Sequence, residues 1–73
     1  MVKRVQFPSS KDLMEFIDIA RECPSDVGVH TYDDKMADAK SILGLLSLDY
    51  TQPVKVVTED TSFYRYIQKW IVA

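Results

Sequence analysis

Ser41 stands immediately ahead of the apolar run Ile42-Leu43-Gly44-Leu45-Leu46-Ser47-Leu48. A hydroxyl in that place has two uses. As an N-cap, its oxygen accepts an N–H of the first helical turn, worth about 1 kcal/mol. As a modification site, it carries a phosphate of about −1.5 to −2 charges, which changes the surface without breaking the helix. Asp38 opposes such a charge mildly and Lys40 partly offsets it. A second pair of hydroxyls, Ser9 and Ser10, precedes another helical pattern, with Lys11 beside them. A helix start holds an anion through its unpaired N–H groups, and Lys11 would assist. A serine without an adjacent base is nevertheless a poor nucleophile, and both residues read first as N-caps.

The remaining reactive groups carry less. His30 is the single imidazole and falls in a strand-like stretch, on the side opposite Val27 and Val29, where a surface histidine is expected. Cys23 is the single cysteine, so no intrachain disulfide forms, and its place at a helix end suits a half-buried small apolar residue. One sulfur and one imidazole make no zinc site without carboxylates or a partner chain. No metal or cofactor is expected. Asp33-Asp34 is turn chemistry. Tyr64, Tyr66 and Trp70 read as core and rim rather than as a platform for nucleic-acid bases.

These groups need a scaffold, and 73 residues allow one small domain, 1–73. A chain of this size buries only about 60% of its unfolded surface. A hydrophobic share of 47% and a charged share of 27% are those of a soluble globular protein. The net charge of −2 provides no basic face for nucleic acid, and no glycine-rich phosphate loop is present. The segment after Met1 has no long apolar stretch behind Lys3-Arg4, which argues against a signal peptide, and no run reaches membrane-spanning length. A complete cytoplasmic protein is the expectation.

Val2 to Phe7 alternates loosely and stops at Pro8, as a strand does. Ser9 and Asp12 approximate a capping box. Leu13, Phe16, Ile17 and Ala20 follow at helical spacing, and Pro24 ends the helix. Val27, Val29 and Thr31 alternate as a strand. Asp33-Asp34-Lys35 turns the chain, and Met36 to Ala39 returns as a short strand. Ser41 to Leu48 is a short helix with Leu45 and Leu48 inward. Val54 to Thr58 is a β-branched strand, and a final helix places Phe63, Ile67, Trp70 and Ile71 on one face. The order β-α-β-β-α-β-α, with a hairpin in the middle, points to an α+β fold. A four-stranded antiparallel sheet with helices on one face fits so short a chain.

Ala39-Lys40-Ser41-Ile42-Leu43-Gly44, the following Leu45-Leu46-Ser47-Leu48 and the strand from Val54 resemble the second-helix region of HPr, the histidine phosphocarrier of the bacterial sugar phosphotransferase system. The likeness spans Asp38 to Asp60 most closely and weakens toward both ends. It implies the HPr-like open-faced β-sandwich. It implies that Ser41 is a regulatory phosphorylation site, and that Ile42, Leu43 and Leu46 form an apolar patch for Enzyme I, the serine kinase and transcription regulators. The family's active loop reads roughly Gly-Ile/Leu-His-Ala-Arg-Pro. In that register Ser9 takes the histidine's place and Lys11 the arginine's, so Ser9, Ser10 and Lys11 form a degenerate phosphocarrier site. A phosphoserine ester is too stable to hand its phosphate onward, whereas a phosphoimidazole is not. The resemblance therefore implies a non-catalytic regulatory or adaptor protein that docks protein partners, with neither nucleic acid nor membrane as partner. Two alternatives stand beside it. One is a phosphocarrier with an unusual acceptor such as His30. The other is an orphan domain of the same fold that forms a homodimer through a sheet edge or an apolar seam left by the Met1–Phe7 strand and the short last helix.

Overall fold

Alternating valines make the strand pairing at the centre of the sheet and 3.6-residue apolar spacing makes the long helix, and both sit close to where the pattern puts them. The computed structural model describes residues 2–72; Met1 and Ala73, the first residue of the expected edge strand and the last of the expected final helix, lie outside the described residues. In chain order the elements are β1 (Val2–Val5), α1 (Ser10–Glu22), β2 (Gly28–His30), β3 (Met36–Asp38), α2 (Ile42–Leu46), β4 (Val54–Val57), α3 (Phe63–Tyr66) and a 3₁₀ turn (Gln68–Trp70). The sheet is four-stranded and antiparallel throughout, in the order β1-β4-β2-β3. This is the α+β open sheet with helices that the element order implies.

β4 and β2 are the two inner strands; Val54 and Val56 of β4 alternate inward, and Val56 faces both Lys3 of β1 and Val29 of β2. One face of the sheet is covered: Val5, Val29, Val54 and Val56 are buried beneath Leu13, Phe16, Ile17 and Ala20 of α1, Leu45 of α2 and Phe63 of α3. The other face is open. It carries Arg4, Lys55, His30 and Met36 in one register row and Val2, Val57, Gly28 and Asp38 in the next. The β2–β3 turn closes through Thr31 N–H to the Lys35 carbonyl (2.8 Å), with Asp34 left-handed at φ 65°. An aspartate tolerates that conformation better than most residues. The Thr31 hydroxyl donates to Asp33 within the same turn.

Two sequence expectations need correcting, one at each end of the chain. The final helix is not continuous: it breaks at Ile67 (φ −112°, ψ 14°) and resumes as the 3₁₀ turn. The break lets Trp70 turn into the core, 2% exposed, against Phe7 and Phe16 with ring centroids 5.5 and 6.2 Å away. Its indole N–H then donates to Asp12 Oδ1 at 3.0 Å. The second correction concerns β1. The strand ends at Val5, not Phe7, because Gln6 N–H bonds to the Trp70 carbonyl (2.9 Å), while Phe7 swings into the aromatic cluster. Val72 N–H bonds to the Arg4 carbonyl (2.9 Å) and Ile71 bridges Val5. The β1 edge expected to be open for pairing is thus covered from Arg4 to Gln6 by residues 70–72, which is a usual defence of a sheet edge.

Asp12 joins both ends of this arrangement. It accepts the Ser9 hydroxyl at 2.6 Å as well as the Trp70 indole. Those two hydrogen bonds, the Ser9 one foremost, hold its carboxyl below the ordinary aspartate range. The Ser62 hydroxyl does the same for Asp60 and the Thr51 hydroxyl for Asp49. Carboxyls more acidic folded than unfolded stabilise the protein above their unfolded pKa, and that contribution is lost as pH falls through the folded value. Thermal stability is therefore expected to be flat from neutral pH down to about 5 and to fall below about 4. Asp12→Asn should make that acid-side fall shallower in a series of melting curves.

Candidate functional site

α2 is a helix of five residues, too short to persist without anchors. Leu45 (fully buried) and Leu48 hold it to the core. The Tyr50 hydroxyl donates to the Leu45 carbonyl and Ser47 Oγ donates to the Gly44 carbonyl at 2.7 Å, adding side-chain donors to two carbonyls that also accept the backbone N–H groups of Leu48 and Ser47. Burial pushes the Tyr50 phenol up to about 12. Gly44 permits a close seat on β3: a Cβ there would stand 3.4 Å from Ala37 Cβ and 3.3 Å from Ser41 Oγ.

Ser41 is in the N-cap position, with extended backbone (φ −107°, ψ 99°) and its carbonyl accepting Leu45 N–H at 3.0 Å. Its hydroxyl, however, makes no capping hydrogen bond. The capping use of Ser41 anticipated from its position is not realised, because the short turn is held from its C-terminal end instead. Ser41 is exposed. Next to it Leu43 is 84% exposed, Leu46 53% and Ile42 38%. The structure thus gathers Ser41, Ile42, Leu43 and Leu46 on one short outward-facing segment, with Lys40 exposed at its start.

Ser9 contrasts with Ser41. It caps α1: its Oγ accepts Asp12 N–H at 3.4 Å and donates to Asp12 Oδ2 at 2.6 Å. The Asp12 carboxylate accepts the Ser9 hydroxyl and puts a negative charge at this helix start. Ser10 and Lys11 are exposed in the first turn of α1. Ser9 and Ser10 line a shallow depression with Phe7, Leu13 and Tyr50. Tyr50 therefore links the degenerate site to α2, with its ring 5.8 Å from Phe7 and its hydroxyl on Leu45. In the sequence, the signal for this role of Tyr50 is an aromatic five residues after the helical Leu45.

His30 is not part of this grouping. It is on the open face, half-buried over Gly28 and opposite Lys55. That cross-strand basic neighbour was invisible in the sequence, where 25 positions separate the two. Cys23 is buried, and its Sγ donates to Asp60 Oδ2 at 3.6 Å beside a cleft between α1 and α3 lined by Ile19, Phe63 and Tyr66. Among the described residues no three His, Cys, Asp or Glu side chains group as a metal site, and no helix is long and apolar enough to cross a membrane.

Comparison with protein-family models, curated proteins and solved structures returns no match. The likeness to HPr rests on the Ala39–Leu48 segment and the element order.

The two capping serines should respond differently to mutation. Ser9→Ala removes a formed cap and should cost about 1 kcal/mol in urea unfolding. Ser41→Ala removes no cap bond and should stay within about 0.5 kcal/mol of the parent.

Proposed function

We propose that this protein is a non-catalytic, HPr-like adaptor that binds protein partners through the outward face of α2, with phosphorylation of Ser41 as the control. The observation that carries this reading is the exposure of three large aliphatic side chains, Ile42, Leu43 and Leu46, within a five-residue helix. Burying one such side chain is worth about 1.5–3 kcal/mol, so a partner that covers all three gains several kcal/mol from one turn of helix. Contiguous exposed apolar side chains bordered by polar ones are the usual mark of a protein–protein contact. The Ser41 hydroxyl is next to them and unused by the fold. A phosphate there would place close to two negative charges at the rim of the patch, where desolvation on docking opposes them.

The same reading leaves phosphate relay aside. The Ser9 hydroxyl is held by Asp12, whose carboxyl lies below the ordinary aspartate range and is a weak base, and a serine ester would not pass its phosphate on. The partners that fit are the serine kinase, transcription regulators and other proteins of a phosphotransferase system, in the cytoplasm, as the resemblance implies.

The test is direct. Incubation with a phosphotransferase-system serine kinase and ATP should add one acid-stable phosphate by intact mass, absent in Ser41→Ala. Leu43→Asp should raise the kinase KM roughly tenfold or more with an unchanged melting temperature. Incubation with Enzyme I and phosphoenolpyruvate should leave no acid-labile phosphate; label on His30 would replace this reading with that of a phosphocarrier.

A further inference from the structure

The open face of the sheet is polarised along its strands. At one end the register puts Arg4, Lys55 and His30 side by side across β1, β4 and β2. Two residues along, Val2, Val57 and Gly28 form a small apolar strip. Two residues further, past the ends of β2 and β4, come the exposed Asp26 and Glu59, which line one shallow depression with Gly28, Val57 and His30. Asp38, at the β3 end of the strip, turns its carboxylate back onto the Lys40 amide at 2.8 Å. Lys55, His30, Asp26 and Glu59 take part in no ion pair among the described residues.

A surface that runs from basic to acidic across an apolar strip is complementary to itself. A second copy, turned over about an axis lying across the strands in the plane between two sheets, brings its acidic end over the first copy's basic end and the reverse. Sheets stacked in this way sit about 10 Å apart, within reach of lysine and glutamate side chains from both sides. We propose that the open face docks a second copy of this chain in an isologous dimer, with Lys55 against the partner's Glu59 and His30 beside the partner's Asp26. This surface is distinct from the α2 patch, and from the β1 edge that the chain closes itself.

Magnitudes set the strength. Four strands about 4.8 Å apart and about 13 Å long present about 200 Å², far below the roughly 800 Å² per partner of a stable complex. The dimer is therefore weak and depends on its charges, so it forms at high concentration and low salt. Within one chain Lys55 and Glu59 are about 13 Å apart along the strand, beyond the roughly 8 Å screening length at physiological salt. They hardly feel each other unless a second copy brings them together, and this makes charge reversal diagnostic.

Sedimentation equilibrium at protein concentrations up to about 1 mM, in low salt and again in about 0.5 M salt, tests the proposal. The parent should dimerise in low salt and dissociate in high salt. Lys55→Glu and Glu59→Lys should each weaken association roughly tenfold or more, and the double exchange Lys55→Glu/Glu59→Lys should restore it. All these positions are exposed, and circular dichroism should show each variant folded. A parent that stays monomeric in low salt overturns the proposal. So does a double exchange no better than the single ones. A dimer lost in Leu43→Asp but not in Lys55→Glu overturns it in favour of α2. A monomer whose Lys55 and His30 resonances move on addition of an acidic peptide overturns it in favour of a foreign acidic partner.

Discussion

The indole of Trp70 is the constraint on which the rest of this small structure depends. An indole ring inside the core brings a large apolar area and one N–H that has to find an acceptor. Asp12 is that acceptor, from the first turn of α1. The same carboxylate takes the Ser9 hydroxyl, so the start of α1 and the end of the chain are tied at one point. Lys69 adds an outer clasp, with its ammonium 2.5 Å from Glu15 and 4.8 Å from the centre of the Trp70 ring. That pair is half-exposed and contributes little on its own. Phe7, Phe16 and Phe63 complete the cluster, with neighbouring centroids 5.0 to 6.2 Å apart, in the tilted and edge-on arrangements that aromatic rings favour.

Much follows from that one anchoring. To deliver Trp70 to Asp12 the last helix has to break at Ile67, and the residues after Trp70 then run beside β1 and bond to it. A 73-residue domain has no spare element with which to cover a sheet edge. Here residues 70–72 cover the β1 edge from Arg4 to Gln6. The Ser9 hydroxyl, the side chain at the place of the HPr histidine in the resemblance, is consumed by the same anchoring. Structural duty and an exchangeable phosphate make opposite demands on one group: the first needs a fixed acceptor at its side, the second an unhindered nucleophile and a base.

Local patterns carried most of the fold into view. The i, i+3, i+4, i+7 spacing of Leu13, Phe16, Ile17 and Ala20 fixes the buried face of α1, and the alternation of Val54 and Val56 fixes that of β4. The inward places of Leu45 and Leu48 were legible for the same reason. What stayed hidden depends on contacts distant in sequence. No period in Phe63–Ile71 announces a break whose cause is Asp12, 58 residues before Trp70. An N-cap residue type at Ser41 does not reveal that Tyr50 and Ser47 support α2 from its other end. The row of Arg4, Lys55 and His30 exists only once three strands are in register.

The two helices α1 and α2 divide the work on the covered side of the sheet. On the covered face nearly every large apolar residue is spent on the core, and α1 alone contributes four buried side chains. α2 spends one, Leu45, and turns the others outward. A helix that short has few internal hydrogen bonds to lose, and its persistence rests on Leu45, Leu48 and Tyr50. A partner that packs on Ile42, Leu43 and Leu46 would add the missing second side of that helix, so docking and helix stability reinforce each other. A bulky charged group on Ser41 acts at the end of the helix that has no side-chain cap, where the fold offers least resistance to a change in the turn. Under the proposed function, α2 is the element whose order a partner and a phosphate would both bias, while the Asp12–Trp70 anchoring ties the start of α1 to the end of the chain away from it.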